Sequence, residues 1–200
     1  MSQIAKLWLI AIILLGNSAA QAAPITYEAI LNGASESPPV SSTGTGFGSI
    51  VFDLTAHTLA LDITFSGLIG TVTAAHLHCC TAEPDIGNAI VATTTPTLIG
   101  FPLAVTAGSY LNTLDLTLAS SWNSSFITNN GGTPAGAEAA LAAGLDQGRV
   151  YLNIHTTFAG SGEIRGFLHE SSVPEPASIA LMGIGLLGLA RHRHQSRKLT

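Results

Sequence analysis

Residues 59–66 read Leu-Ala-Leu-Asp-Ile-Thr-Phe-Ser, with a large apolar residue at every second position. In an extended chain successive side chains point to opposite faces, so this period of two predicts a strand with one buried face. The preceding stretch alternates in the same way at Ile50, Phe52 and Leu54. Only Thr55-Ala56 separates the two runs, and residues 46–66 are therefore predicted to form a β-hairpin.

The same alternation predicts further strands along the chain, at residues 25–31, 114–118, 150–155 and 162–168. Two segments have a helical composition instead, residues 120–127 and residues 134–143, the latter ending at Gly144. Short strands between frequent Gly and Pro turns favour an all-β fold. We expect an antiparallel β-sandwich, Greek-key-like, with one or two short helices.

Charged residues make up 10% of the 200-residue chain, against about 25% in an average soluble domain. The charge is also unevenly distributed. Between residues 23 and 172 there are two basic residues, Arg149 and Arg165, against eleven acidic ones, which gives a formal net charge of −9. Nucleic-acid binding requires a cluster of cations, so no nucleic-acid partner is expected.

The N-terminus has the pattern of a secretory signal peptide. Lys6 precedes the apolar run 7–15, and the small-residue stretch 19–23 follows. The apolar run is too short for a comfortable membrane span, although an uncleaved anchor is the alternative. We expect a signal helix over residues 1–22 with cleavage after Ala22, and therefore export.

The C-terminus contains Pro174-Glu175-Pro176, then an apolar, glycine-punctuated segment at 178–190, then a basic tip. The prolines begin a new segment, predicted to be a hydrophobic helix whose basic tip stays cytoplasmic. This order resembles a PEP-CTERM sorting tail over residues 173–200. The resemblance implies an exported protein of a Gram-negative bacterium. It would be anchored transiently in the inner membrane, processed by an exosortase and delivered to the cell surface or exopolysaccharide matrix. A plain membrane anchor is the alternative.

Three further motifs occur in order within the central region. They are Leu-Asn-Gly-Ala-Ser-Glu-Ser-Pro-Pro-Val at 31–40, Ala-His-Leu-His at 75–78, and Gly-Arg-Val-Tyr-Leu-Asn-Ile-His-Thr at 148–156 with Gly-Glu-Ile-Arg-Gly at 162–166. From residue 27 to residue 168 the chain resembles a CHRD domain, the module named from chordin. The resemblance implies an extracellular β-sandwich over residues 23–172, of a family whose bacterial members have no settled activity.

Histidines provide the candidate metal ligands. His76 and His78 are two residues apart and share one face of a predicted strand, and His155 lies on another strand. If the strands are neighbours, three imidazoles converge and leave an open coordination position, as in zinc or copper sites. The pattern is distantly similar to Cu/Zn superoxide dismutase. Only His57, Asp85 and Arg165 could take the remaining roles of that enzyme, and no motif supports them.

A structural polar network is the expectation that we weigh above metal binding. Histidines in polar clusters often bond to backbone or carboxylate groups. Glu163 and Arg165 are the candidates to join His155 in such a cluster, with Arg165 pairing with Glu163 or Glu36.

Cys79 and Cys80 are the two cysteines of the chain. In an exported protein a disulfide is expected, here between adjacent residues. Such a bond closes no loop, so it adds little chain-entropy stabilisation. Free thiols and metal ligation beside His76 or His78 remain alternatives.

No motif for an enzyme active site is present, since the chain lacks a nucleophile elbow, a zinc-protease helix and a phosphate-binding loop. We expect a non-enzymatic binding or structural module of the cell surface, with an exopolysaccharide or a surface protein as its partner and no cofactor. The alternative is a metal-binding redox protein that uses Cu or Zn at His76, His78 and His155.

Overall fold

Strands dominate residues 23–171, the part of the chain that the computed structural model describes. They are β1 (Ile25–Asn32), β2 (Thr45–Asp53), β3 (Thr58–Ser66), β4 (Val72–His78), β5 (Gly108–Asp115), β6 (Tyr151–Thr156), β7 (Ile164–Phe167) and β8 (His169–Glu170), with helices α1 (Ser124–Asn129) and α2 (Pro134–Asp146). All strand pairs are antiparallel. The predicted all-β class with two short helices is confirmed. The predicted signal helix, the sorting motif Pro174-Glu175-Pro176 and the hydrophobic helix 178–190 lie outside the described residues.

The hairpin of β2 and β3 forms as predicted. Its strands pair without interruption from Thr45 opposite Ser66 to Asp53 opposite Thr58. The apolar positions of β3, Leu59, Leu61, Ile63 and Phe65, are all buried. Thr55-Ala56 is a weak turn sequence, and the turn is held instead by Asp53, whose carboxylate accepts hydrogen bonds from both of their backbone N–H groups.

The strands form one sheet in the order β4-β6-β7-β1-β2-β3-β5, with β8 beside β1. This sheet curls until its two halves face each other across the core, which gives a sandwich-like arrangement. Leu152 of β6 packs onto Gly48 of β2, so closely that a Cβ atom on Gly48 would lie 2.6 Å from the leucine. At one end β4 bonds to the segment that leads into β5, because Val72 N–H donates to Val105 and Ala104 N–H donates to Val72, both at 2.9 Å.

Both helices have bounds that differ from the sequence prediction. Helix α1 begins at Ser124, where the Asn123 side chain caps it, and residues 119–121 form a separate 3₁₀ turn. Helix α2 continues through Gly144, which was predicted to end it. The glycine is needed for close approach instead, since a Cβ atom there would lie 2.6 Å from the sulfur atoms of Cys79 and Cys80.

The long connection between β4 and β5, residues 79–107, runs along the free edge of β4. Cys79 N–H donates to Ile90, Ala92 N–H donates to Leu77, and Leu98 N–H donates to Ala75. The edge strand is therefore covered, as sheet edges in stable proteins usually are. This connection also brings backbone carbonyl groups close to the side chains of β4. Within residues 23–171, no helix has the length and apolar character needed to cross a membrane.

Glu163 is a fully buried carboxylate that organises the loops at one end of the sheet. It accepts hydrogen bonds from the hydroxyls of Ser42 and Thr156, both at 2.6 Å, and from the backbone N–H groups of Ile69 and Gly70, at 2.6 and 3.0 Å. Burial alone would raise the pKa of Glu163. The four donors outweigh burial and lower the pKa below its usual range.

Replacing a buried residue of the β3 alternation should destabilise the fold far more than replacing an exposed one. Leu61→Ala removes a side chain with no exposure, and we expect a loss of about 2–5 kcal/mol in the free energy of unfolding of the full-length chain. Leu111→Ala is the matched control, because Leu111 is 80% exposed on β5, and its expected cost is below about 0.5 kcal/mol. Urea denaturation measures both, and equal losses would contradict the assigned burial.

Glu163→Gln should cost roughly 2–4 kcal/mol of stability at pH 7, because an amide N–H₂ group then faces donors that the carboxylate had satisfied. A lowered carboxyl pKa contributes stability above the unfolded pKa, and that stability is lost as pH falls through the folded pKa. The difference between the wild type and the variant should therefore shrink in acid. Thermal unfolding between pH 7 and pH 3 tests this, with the exposed Glu83→Gln as control. A difference that stays constant into acid would refute the role of the ionised group.

Candidate metal centre

Strands β4 and β6 pair directly and bring the three predicted histidines together. In this pair Ala74 lies opposite His155, and His76 lies opposite Asn153. The histidine side chains project from one face, because residues two apart on a strand share a face. One ring nitrogen from each of His76, His78 and His155 lies within 4.8 Å of the others. The sequence-predicted convergence is therefore present in the structure.

Each of these rings has one nitrogen bound to a backbone carbonyl oxygen. The contacts are His76 Nε2 to Pro96 at 2.8 Å, His78 Nδ1 to Ala89 at 2.9 Å, and His155 Nδ1 to Gly160 at 3.1 Å. A carbonyl oxygen only accepts, so in each case the histidine nitrogen carries the proton and donates it. The second nitrogen of each neutral ring is therefore an unprotonated acceptor: His76 Nδ1, His78 Nε2 and His155 Nε2.

These unprotonated nitrogens lack suitable donors. Nε2 of His78 and Nε2 of His155 lie 3.4 Å apart with no proton available between them. His76 Nδ1 is buried without a hydrogen-bond partner. Two nitrogens that each bind one ion at about 2.0–2.1 Å would be about 3.3–3.6 Å apart. The 3.4 Å between His78 Nε2 and His155 Nε2 falls in this range, and all three nitrogens lie within 4.8 Å of one another.

The environment keeps the three imidazoles neutral. Burial, with a smaller contribution from the neighbouring histidines, lowers the pKa of His76 and of His78 to about 4. Burial also lowers the pKa of His155, which is partly exposed. Metal ligation requires unprotonated imidazole, so at neutral pH no proton competes with an ion. Backbone acceptors on the second ring nitrogen are the usual orienting partners of histidine ligands.

Tyr151 and Arg165 form a stack behind His78. The Tyr151 ring lies parallel to the His78 ring, with 4.8 Å between centroids and 8° between planes. The guanidinium carbon of Arg165 lies 4.6 Å from the Tyr151 centroid. Tyr151 could have been found from the sequence, since it shares a strand face with His155. The three supporting carbonyl groups lie in loops and leave no side-chain signal.

The predicted cluster of His155, Glu163 and Arg165 is in fact separate networks. Arg165 pairs with Glu36, at 3.8 Å between Nε and Oε2, which is one of the two pairings expected. Its guanidinium also donates to the Ser35 carbonyl and the Asn88 side chain. The hydrogen bonds of the Glu163 carboxylate go to neither Arg165 nor His155, because its four donors are Ser42, Thr156, Ile69 and Gly70.

The remaining groups considered for a dismutase-like site are engaged elsewhere. His57 Nδ1 lies 2.9 Å from Glu138, and Asp85 lies 2.9 Å from His169 Nε2. Neither His57 nor Asp85 belongs to the histidine cluster.

Cys79 and Cys80 are joined by a disulfide bond. Their sulfur atoms pack against helix α2 at Gly144. They also line a cleft of about 540 Å³ whose other walls include Phe126, Asn129 and Asn130. The cysteines do not belong to the histidine cluster, and their sulfur atoms are bonded to each other rather than available as thiolate ligands.

Comparison with known proteins gives two matches to family models. Residues 172–193 match the PEP-CTERM protein-sorting motif, a signal recognised by exosortase that implies export, processing at the membrane and surface localisation. No curated protein and no solved structure matches significantly. Residues 27–168 match the CHRD domain, and this range contains most of β1, the strands β2 to β7 and the whole histidine cluster. The chain therefore belongs to the CHRD domain family.

Proposed function

We propose that this exported surface protein is a non-enzymatic metal-binding module that holds one copper or zinc ion between His76, His78 and His155. One observation carries the proposal. Three neutral imidazoles direct unprotonated nitrogens toward each other while their protonated nitrogens are tied to backbone carbonyls. A purely structural polar network would place a proton donor opposite at least one of these nitrogens.

The surroundings of the cluster favour binding over catalysis. His76 and His78 are buried, and apart from the cluster histidines their contacts in the described residues come from Tyr151 and from backbone carbonyls, with no carboxylate among them. His57 and Asp85, which a dismutase-like site would require nearby, pair with other residues. The competing function is that of a superoxide dismutase which uses the same ion for catalysis. If the copper-loaded protein dismutes superoxide, the non-enzymatic assignment is overturned.

The sorting tail supports a role at the cell surface or in the exopolysaccharide matrix of a Gram-negative bacterium. An exosortase is the processing partner that the motif calls for. The central region is strongly acidic, with a net charge of −9 between residues 23 and 172. Such a surface repels anionic polymers and attracts cations, which suits a module that collects metal ions outside the cell.

The protein purified from exporting cells should bind one equivalent of copper or zinc after metal loading and desalting. His76→Ala, His78→Ala and His155→Ala should each lower the metal content to less than about a tenth, because two imidazoles hold such an ion weakly. His57→Ala and His169→Ala are matched controls that remove histidines outside the cluster. Elemental analysis gives the stoichiometry. Metal content that does not change in the three cluster variants would refute the site.

Deleting residues 173–200 should change where the protein is found. In a bacterium that carries an exosortase, the full-length chain is expected in the surface and exopolysaccharide fractions, and the truncated chain in the periplasm or the medium. Fractionation with immunoblotting measures the distribution. Glu175→Gln is a milder variant that keeps the hydrophobic segment. Identical fractionation of the full-length and truncated chains would contradict delivery by the tail.

A further inference from the structure

The ligand set of the histidine cluster carries no charge. Its three members are neutral imidazoles, and neither a carboxylate nor a thiolate belongs to the group. Any ion bound there therefore keeps its full charge in a site where two of the three ligands are buried. The cost of transferring an ion from water into a buried site rises with the square of its charge, so a divalent ion costs about four times as much as a monovalent ion of equal size.

The positive charge of Arg165 further increases the cost of binding a divalent ion relative to a monovalent one. Arg165 is stacked on Tyr151, which is stacked on His78, and its guanidinium therefore lies within about 10 Å of the His78 ring. At that distance each unit of charge on the ion weakens binding on the order of tenfold. Glu36 is the facing carboxylate, at 3.8 Å from Arg165. Burial raises the pKa of Glu36 to about 7, so the carboxylate compensates the arginine only in part.

The number of ligands points in the same direction. The described residues provide three nitrogen donors, whereas structural zinc sites nearly always have four protein ligands. Monovalent copper is stable with three nitrogen donors in a trigonal arrangement. We infer that the ion is copper held as Cu(I), and that the Arg165–Tyr151 stack favours this charge state over any divalent ion. This inference deepens the proposed metal-binding function and rests on it.

Competition with chelators tests the choice of ion. The metal-free full-length chain is titrated anaerobically with Cu(I) in the presence of bicinchoninate, and separately with Zn(II) in the presence of a colorimetric zinc chelator. We expect the affinity for Cu(I) to exceed that for Zn(II) by at least about a hundredfold, from the charge terms above. The loaded protein should give no electron paramagnetic resonance signal, because Cu(I) has a filled d shell.

Two arginine variants test the electrostatic part. Arg165→Gln should lower the ratio of Cu(I) to Cu(II) affinity about tenfold, which corresponds to about 59 mV in a one-electron potential. Arg149→Gln is the matched control, because it removes the other cation of residues 23–171, whose guanidinium binds Thr81 and Gln147. If Arg165→Gln does not fold, Glu36→Gln at pH 8 removes a negative charge beside Arg165 instead. This variant should raise the ratio of Cu(I) to Cu(II) affinity.

The outcomes separate this inference from the proposed function. Zinc binding that equals or exceeds Cu(I) binding overturns the inference and leaves the metal module intact. An unchanged Cu(I) to Cu(II) ratio in Arg165→Gln, or in Glu36→Gln if that variant replaces it, overturns the role of the stack. Absence of binding of either metal overturns the proposed function itself.

Discussion

The antiparallel pairing of β4 with β6 is the constraint on which both the site and the sheet edge depend. Its register sets His155 opposite Ala74, within reach of His76 and His78. Shifting the pairing by one residue would turn one set of side chains to the other face of the sheet. The register is protected because Leu77 and Leu152 lie opposite each other on the apolar face, both without exposure. Hydrophobic burial therefore holds the polar ligands in place.

Irregular backbone completes what the strands begin. The connection 79–107 supplies the carbonyls of Ala89 and Pro96, and the loop after β6 supplies that of Gly160. These contacts fix which nitrogen of each ring carries the proton. The strands therefore position the ligands, and the loops determine which nitrogen of each ring carries the proton. The same division applies at Glu163, where loop N–H groups at residues 69 and 70 keep a buried carboxylate ionised.

Period-two alternation was sufficient to predict the hairpin of β2 and β3 and the shared face of His76 and His78. The convergence with His155 required a strand neighbour that alternation does not specify. Loop carbonyls have no sequence signature at all, because every residue carries one. The misplaced end of α2 has a definite cause: glycine usually ends a helix, but Gly144 serves close packing against the disulfide. Alternation also placed one strand too late in the chain, at 114–118, whereas β5 spans Gly108–Asp115.

The scarcity of basic residues has a further consequence for a protein that works outside the cell. Trypsin-type proteases cleave after lysine or arginine, and residues 23–171 contain only Arg149 and Arg165. Arg165 lies within β7 and is 2% exposed, with its guanidinium held by backbone and side-chain acceptors. Arg149 is half-buried, and its carbonyl accepts a hydrogen bond from Thr81 N–H, so neither arginine of the folded domain lies in an open loop. A composition that first stands out as low charge thus also leaves trypsin-type proteases few cleavage sites in the domain.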